Sequence, residues 1–149
     1  MMIFGYGTFI SLRMYKDKKK VQAAFLPDYY RVYKPSNGFP YILKASDYQS
    51  LRKPGFWGLI FEVNQEELKR LDVYEGEGSL YHRINGNCIL PNKNEQPVSF
   101  YYPTESSIRY EDLANYLRHG DTWLEKMKRE NADIIMEFPD LSRTDDPRV

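Results

Sequence analysis

The sequence has 149 residues, a length that suits one compact domain over 1–149 and that buries enough surface to be stable without a disulfide or metal. Its 21 Lys and Arg balance 21 Asp and Glu, which argues against a broad basic face for nucleic acid and against an electrostatic membrane anchor. The 13 tyrosines raise the aromatic content to 15%, which suggests half-buried β-structure around a polar site.

Cysteine and histidine are scarce. Cys88 is the only cysteine, so no internal disulfide can form, and we expect a cytoplasmic location. One cysteine and two histidines cannot supply the four ligands of a usual structural zinc site. The N-terminus lacks the basic segment of a signal peptide, and no apolar run approaches the ~18 residues of a transmembrane helix.

The first half of the chain has the pattern of β-strands. Apolar and aromatic residues bounded by turn residues predict strands over 2–6, 21–34, 41–43 and 56–63. Pro27 and Asp28 lie within the second of these segments. Because proline cannot donate a ladder hydrogen bond, we expect this pair to bend or bulge the strand.

A short helix is predicted after the fourth strand. Asn64 can cap its first turn, with Glu67 three residues later in the capping-box position. Leu68 and Leu71 then give the helix one apolar face. The pattern stops near Asp72, so we expect the glycine-containing segment beyond it to be a loop.

A hairpin is predicted next. The segment 81–90 is expected to pair with 98–102 across the polar turn 92–96. Asn85-Gly86 offers a competing turn, but the strands on either side of it would then be very short. We therefore favour a bulge at Asn85 and Gly86.

The C-terminal part is predicted to contain one long helix over 110–131. Gly120 lies on its apolar stripe and either kinks the helix or lets another backbone approach. Residues from about 139 to 149 are expected to form a loose polar tail. The order of elements indicates an α+β fold, in which the strands curl into a small mixed barrel with a short helix and a longer C-terminal helix.

The segment from Phe4 to Phe9 is the first candidate for a functional site. Gly5 and Gly7 at the end of a strand allow a sharp turn that leaves backbone N–H groups free. Successive free N–H groups form a concave site for a carboxylate or a developing oxyanion. A plain turn is the structural alternative.

Carboxylates on the segment after the short helix are the second candidate. Glu75 stands between Tyr74 and Gly76, whereas Glu77 between two glycines is expected to be solvated. If aromatic neighbours half-bury Glu75, desolvation raises its pKa and allows proton exchange near neutral pH. An ordinary surface carboxylate is the alternative.

Tyrosines on the predicted hairpin are the third candidate. Alternation places Tyr81 and Arg83 on one face of the strand and His82 on the other, with Tyr101 and Tyr102 on the partner strand. Tyrosine hydroxyls at a barrel mouth suit a polar small molecule, and cross-strand aromatic packing is the alternative.

These segments together resemble the γ-glutamylcyclotransferase-like family, and in particular its γ-glutamylamine cyclotransferases and small bacterial and archaeal members. The likeness covers about 2–102 and is carried, in order, by Tyr6-Gly7-Thr8, Gly58, Leu71-Asp72-x-Tyr74-Glu75-Gly76 and Tyr81-x-Arg83. It implies a small mixed barrel with a cavity at one mouth. It also implies a cofactor-independent reaction, in which the α-amine of a γ-glutamyl substrate attacks the side-chain carbonyl and gives 5-oxoproline and a free amine or amino acid.

The resemblance also implies residue roles. Glu75 matches the catalytic acid/base. The remaining matches are substrate-binding positions: the backbone N–H groups of Gly7, Thr8 and Phe9, and the tyrosines Tyr6, Tyr81 and either Tyr101 or Tyr102. Phe9 stands where the family usually has leucine, which bears on the size of the cavity and leaves the backbone donors intact.

Two alternatives to this activity stay open on the sequence. The first is a small-molecule-binding or regulatory module that keeps the cavity but has no catalytic activity. The second is a related acyl transfer that removes a γ-glutamyl group from a larger biosynthetic product. The presence of Glu75 favours an enzyme, because a binding module has no need of a carboxylate at that position.

Overall fold

Seven strands form a closed barrel and a small separate sheet in the computed structural model, which describes residues 1–149. The strands are β1 (Met2–Gly5), β2 (Lys19–Leu26), β3 (Tyr29–Tyr33), β4 (Pro40–Lys44), β5 (Phe56–Glu62), β6 (Tyr81–Ile89) and β7 (Glu95–Pro103). The barrel has the order β1-β5-β2-β6-β7, with antiparallel neighbours except for the parallel closure of β1 onto β7. This confirms the predicted mixed barrel.

The helices flank the barrel. They are α1 (Thr8–Ser11), α2 (Gln65–Glu75), α3 (Glu105–Glu111), α4 (Thr122–Glu130) and α5 (Ala132–Glu137), with 3₁₀ turns at Pro35–Asn37, Ala45–Asp47, Leu113–His119 and Pro139–Ser142. None of the helices combines the length and apolar character that crossing a bilayer requires. The strands and helices together confirm the predicted α+β class.

Strand β5 is buried on both faces. Trp57, Leu59 and Phe61 belong to one apolar cluster, which also takes in residues of the helices. Phe56 and Ile60, on the opposite face, belong to a second cluster with other barrel strands. A strand with two buried faces is a continuous apolar run rather than an alternating one, as the sequence over 56–61 shows.

The predicted bend at Pro27 and Asp28 is a complete break between two strands. Asp28 has φ 69°, a left-handed conformation that ends the extended backbone of β2. β3 then leaves the barrel and pairs with β4, in a register that runs from Tyr29 opposite Lys44 to Tyr33 opposite Pro40. The break thus places a two-stranded sheet beside the barrel.

The predicted capping box of α2 is confirmed. The Asn64 side chain accepts a hydrogen bond from the Glu67 N–H at 2.8 Å, and the Glu67 carboxylate accepts one from the Asn64 N–H at 2.9 Å. The helix continues to Glu75 and ends at Gly76, whose φ is 64°. The predicted end near Asp72 was therefore about one turn too early, and Glu75 lies in the last helical turn rather than on a loop.

The hairpin has no bulge. β6 and β7 pair in continuous register from Tyr81–Pro103 to Ile89–Glu95, so the expectation of a bulge at Asn85 and Gly86 is wrong. Gly86 has a packing role instead, because a Cβ there would lie 2.9 Å from the Phe100 ring. The glycine therefore makes room for that ring.

The predicted long helix over 110–131 is wrong. Asp112 (φ 54°) adopts a left-handed conformation and Gly120 has a positive φ of 74°, neither of which a right-handed α-helix allows, so the segment divides into α3, a 3₁₀ turn and α4. The apolar side chains at helical spacing in this segment are still buried: Leu113 and Leu117 pack into one apolar cluster and Met127 into another, and Leu124 is buried as well.

The expected loose tail over 139–149 is also wrong. Leu141, in the last 3₁₀ turn, is buried in the large apolar cluster. The Trp57 indole N–H donates to the Asp145 carbonyl at 2.9 Å, and the Arg143 guanidinium lies 4.3 Å from the Trp57 ring. The tail therefore covers one side of the barrel through contacts with β5.

Candidate active site

A single cavity of about 300 Å³ gathers most of the candidate residues. It lies at the end of the barrel where β1 and β7 end and β6 begins. Its lining consists of Phe4, Tyr6, Gly7, Thr8, Phe9, Phe39, Pro40, Tyr74, Glu75, Leu80, Tyr81 and Tyr101. The three segments that the sequence identified as candidate functional sites therefore line one cavity, although they are far apart in the chain.

The segment after β1 is tightly packed. A Cβ on Gly7 would lie 2.7 Å from Pro40, and one on Gly58 would lie 2.5 Å from the Gly5 carbonyl oxygen. Both glycines therefore allow close approach, Gly7 to the start of β4 and Gly58 of β5 to β1.

The backbone N–H groups of Gly7, Thr8 and Phe9 donate no hydrogen bond in the turns and loops of the protein. The N–H groups of Ile10 and Ser11, by contrast, donate to the Gly7 carbonyl at 2.9 and 3.0 Å. The first N–H groups of a helix have no partner within it, so these three amides can serve a ligand in the cavity.

Tyr6 is held at both its ends. Its hydroxyl donates to the Tyr101 carbonyl at 2.6 Å, and its own carbonyl accepts a hydrogen bond from Arg31 Nη1 at 3.1 Å. Burial raises the pKa of the Tyr6 hydroxyl, so it stays a neutral donor. Tyr6 therefore fixes the start of the 7–9 segment against β7 and β3.

Arg31 is a buried charge that the sequence reasoning missed. Its guanidinium donates to both carboxylate oxygens of Asp121 at 2.7–3.1 Å and lies 4.6 Å from the rings of Phe56 and Trp123. The one available signal was a single charge within an apolar strand, which indicates a buried pair. Its partner lies 90 residues away, beyond the reach of local patterns.

Glu75 is the carboxylate of the cavity. It is half-buried, and its side chain takes part in no hydrogen bond or salt bridge within the chain. Burial raises the pKa of Glu75 from 4.5 to about 7. Its place in the last turn of α2 also disfavours the charged form, because the helix dipole is negative at that end.

Tyr101 and Tyr102 are distinguished by the structure. Tyr101 lines the cavity, and its hydroxyl donates to Asp72 at 2.6 Å; Arg83 also binds that carboxylate, with Nε at 3.0 Å. Tyr102 does not line the cavity, which corrects its place among the candidates. Strand alternation turns it away, and its hydroxyl accepts a hydrogen bond from the Lys44 N–H at 2.7 Å.

Tyr81 lines the cavity beside Glu75. Its ring stacks on Tyr41 with a centroid distance of 6.0 Å. Burial, followed by the nearby Glu75 carboxylate, raises the pKa of the Tyr81 hydroxyl, which therefore stays protonated at neutral pH. Tyr81 can act as a hydrogen-bond donor toward a ligand, while its neighbour His82 points away and is exposed.

Other reactive side chains lie outside the cavity. Cys88 is fully buried in an apolar cluster, and burial raises the pKa of its thiol to about 12, so it packs as a small apolar residue. His119 is exposed, with its ring 6.1 Å from that of Tyr116. No three or more His, Cys, Asp or Glu side chains come together in a way that could hold a metal ion.

Comparison with solved structures shows the same fold in several proteins. An Arabidopsis thaliana protein is 20% identical with a TM-score of 0.61, over 91% of this chain and 85% of that one. A γ-glutamyl cyclotransferase is 17% identical with a TM-score of 0.53, over 89% and 86% of the two chains. A yeast γ-glutamyl cyclotransferase specific to glutathione is 11% identical with a TM-score of 0.54, over 99% and 94%.

Comparison with sequence families identifies the family of this chain. No curated protein matches the chain. The profile of the family described as "Gamma-glutamyl cyclotransferase, AIG2-like" matches residues 3–125, which is most of the chain. The resemblance carried by the Tyr6-Gly7-Thr8 and Glu75 segments is thereby confirmed at the level of the family. The chain belongs to the AIG2-like γ-glutamyl cyclotransferase family.

Proposed function

We propose that the protein is a γ-glutamyl cyclotransferase that converts a small γ-glutamyl compound into 5-oxoproline and a free amine or amino acid. The observation that carries the proposal is that Glu75 lines the same cavity as the free backbone amides of Gly7, Thr8 and Phe9. Ring closure needs a proton carrier within reach of the attacking and departing nitrogens, and hydrogen-bond donors within reach of the carbonyl oxygen. Family membership supports the same reaction.

The first step forms the ring. The lone pair of the substrate's α-amine attacks its γ-carbonyl carbon, a new C–N bond forms, and the carbonyl π-electrons move onto the oxygen. The ionised Glu75 takes the proton that the attacking nitrogen loses. The amides of the 7–9 segment stabilise the oxyanion and hold the substrate's α-carboxylate. Because nucleophile and electrophile belong to one molecule, the protein needs only to fold the substrate into a reactive conformation.

The second step releases the amine. The oxyanion collapses to a carbonyl, the bond from carbon to the departing nitrogen breaks, and Glu75 returns its proton to that nitrogen. The net change is one molecule of substrate to 5-oxoproline plus amine, with Glu75 regenerated. A pKa of about 7 lets Glu75 act as base and then as acid at neutral pH.

Three tyrosines position the substrate and the 7–9 segment in the proposed reaction. Tyr81 donates a hydrogen bond toward the substrate from the wall beside Glu75. Tyr101 forms a wall of the cavity, since its hydroxyl is committed to Asp72. Tyr6 fixes the 7–9 segment, since its hydroxyl is committed to the Tyr101 carbonyl.

The experiment is an assay of 5-oxoproline with panels of γ-glutamyl amines and γ-glutamyl dipeptides. Wild type is compared with Glu75→Gln and with the matched control Glu77→Gln, which changes an exposed carboxylate two residues away. We expect release by wild type and Glu77→Gln, and loss in Glu75→Gln. Binding of a γ-glutamyl compound without release of 5-oxoproline would instead indicate a binding module.

A further inference from the structure

We propose that Arg31 is a positioning residue of the cyclotransferase site, which holds the Tyr6–Gly7 peptide unit so that the Gly7 N–H faces the substrate. This inference rests on the proposed function and adds to it a residue that does not line the cavity. Arg31 neither contacts the substrate nor exchanges a proton with it, and acts through a backbone donor.

The hydrogen bond from Arg31 reaches the peptide unit that carries the first free amide. Arg31 Nη1 donates to the Tyr6 carbonyl at 3.1 Å. That carbonyl and the Gly7 N–H belong to one trans peptide unit, in which C=O and N–H point in opposite directions. Tyr6 and Gly7 line the cavity, whereas Arg31 does not. A carbonyl that is fixed toward the guanidinium therefore fixes the N–H away from it, on the side of the cavity.

The Tyr6 carbonyl depends on Arg31 for its partner. None of the N–H groups of turns and loops donates to this carbonyl, and Arg31 is the only side chain that does. The hydrogen bond from the Tyr6 hydroxyl to the Tyr101 carbonyl fixes the ring and not the 6–7 peptide unit. A cation that binds the carbonyl also polarises the peptide unit, which strengthens its N–H as a donor.

Arg31 itself is held on every side. Its side chain is 1% exposed, and its Nε and Nη2 donate to Asp121 at 2.7–3.1 Å. Its guanidinium lies 4.6 Å from the ring centroids of both Phe56 and Trp123. Asp121 in turn accepts a hydrogen bond from the Leu124 N–H at 3.2 Å, at the start of α4. Groups on the barrel and on α4 thus direct Nη1 at the backbone.

A purely structural role is the alternative. Nη1 also donates to the Trp57 carbonyl at 3.3 Å, so Arg31 joins the end of β1 to β5. A buried ion pair adds little net stability, however, because the desolvation of both charges offsets their attraction. The two roles differ in what an uncharged replacement does. Positioning predicts a loss of catalysis in a folded protein, whereas a structural role predicts a loss of stability alone.

The test replaces the ion pair without leaving a buried charge. In the double variant Arg31→Met with Asp121→Asn, methionine occupies the space between the two aromatic rings, and asparagine keeps an oxygen that can cap α4. The matched control is Ile134→Val, which removes one buried methyl group from α5, outside the cavity lining. Urea unfolding establishes conditions in which wild type and both variants are folded.

The kinetic readout is release of 5-oxoproline from the γ-glutamyl compound that the wild type converts fastest. We expect kcat to fall about tenfold or more in the double variant, and Ile134→Val to match wild type. The acidic limb of the kcat/KM profile, which Glu75 sets, should stay in place in the double variant, because Arg31 acts through the Gly7 N–H. A displaced limb would mean that the substitutions act on Glu75.

A spectroscopic readout tests the hydrogen bond itself. Tyr6-Gly7 is the only Tyr-Gly pair in the sequence, so carbonyl-¹³C tyrosine combined with ¹⁵N glycine labels one peptide unit. Loss of a hydrogen bond at a carbonyl moves its ¹³C signal upfield. We expect this upfield shift in the double variant and not in Ile134→Val. A Tyr6 carbonyl signal that does not move would overturn the inference.

Arg31→Lys is a second variant that keeps a charge beside Asp121. One ammonium group cannot reproduce the planar fork that binds Asp121 and the Tyr6 carbonyl from two edges. We expect an upfield Tyr6 carbonyl signal and a lower kcat in this variant as well.

The outcomes separate this inference from the proposed function. A wild-type kcat in either folded Arg31 variant, or a displaced acidic limb in the double variant, would overturn the inference while leaving the cyclotransferase activity established. Release of no 5-oxoproline by the wild type from any γ-glutamyl compound of the panels would contradict the proposed function, and the inference with it.

Discussion

Asp72 and Glu75 lie one turn apart at the end of α2, and only Asp72 has partners. The Asp72 carboxylate accepts hydrogen bonds from Tyr101 at 2.6 Å and Arg83 at 3.0 Å, whereas Glu75 faces the cavity without a hydrogen bond or ion pair. One helix end thus supplies both a structural carboxylate, which orients the Tyr101 wall, and a carboxylate whose proton is free to move.

The raised pKa of Glu75 predicts the pH dependence of catalysis. As a general base Glu75 must be ionised in the free enzyme, so we expect kcat/KM to fall as the pH decreases through about 7. The measurement is a kcat/KM profile from pH 5 to 9, with Glu77→Gln as the control that keeps the same limb. An acidic limb near the ordinary glutamate pKa of 4.5 would show that desolvation of Glu75 is not what sets the profile.

The same burial predicts a cost in stability. The pKa of Glu75 is about 7 in the folded protein and 4.5 in the unfolded chain, so the unfolded chain releases this proton at a lower pH than the folded protein does. Stability associated with Glu75 is therefore fully present below pH 4.5 and is lost as the pH rises through about 7.

Glu75→Gln removes that loss. We expect the variant to exceed wild type in free energy of unfolding at pH 8 by about 2 kcal/mol, after allowance for partial exposure, and by much less at pH 5. Urea denaturation at the two pH values measures the difference. A variant less stable than wild type at both pH values would be inconsistent with an unpaired, desolvated carboxylate.

The buried Arg31–Asp121 pair predicts a large effect of a single substitution. Asp121→Ala leaves the Arg31 guanidinium buried without its carboxylate, and we expect a loss of about 3 kcal/mol in the free energy of unfolding. The control is Asp133→Ala, which breaks the exposed pair with Arg13 and should cost less than about 1 kcal/mol. Comparable losses in the two variants would mean that the buried pair has no special weight.

Substitution of Tyr101 is expected to affect catalysis, whereas substitution of Tyr102 is not. Tyr101→Phe removes the hydrogen bond that holds the Tyr101 ring against Asp72 in the cavity wall. We therefore expect kcat/KM to fall, and the free energy of unfolding to fall by about 1 kcal/mol. Tyr102→Phe removes the hydrogen bond to Lys44 and should lower stability by a similar amount while leaving kcat/KM unchanged. Thermal unfolding and steady-state kinetics on both variants decide; a fall in kcat/KM for Tyr102→Phe alone would reverse the assignment.

Local patterns were sufficient for most strands and for the start of α2. The capping box at Asn64 and Glu67 depends on residues three apart, so sequence alone identifies it. The end of the helix was placed too early because Asp72 and Glu75 stand where the apolar face of Leu68 and Leu71 would continue, so the apolar pattern ends before the helix does. The motif around Glu75 located the site, whereas its position in the last helical turn needed the structure.

Features that depend on backbone conformation or distant contacts were not predictable in this way. The left-handed conformation of Asp112, which divides the C-terminal segment, has no signal in an apolar stripe of helical period. The packing of Leu141 and the pairing of Arg31 with Asp121 join segments far apart in the chain. The sequence therefore predicted which residues are buried in the C-terminal part more accurately than how its backbone runs.

The central claim is that Glu75 transfers the protons of the cyclisation. The most direct test measures kcat for release of 5-oxoproline by wild type, Glu75→Gln and Glu77→Gln on one substrate, with binding of that substrate to each variant measured by calorimetry. We predict that Glu75→Gln loses roughly 10²–10⁴-fold in kcat while still binding the substrate, and that Glu77→Gln matches wild type. A Glu75→Gln variant within tenfold of the wild-type kcat would contradict the account.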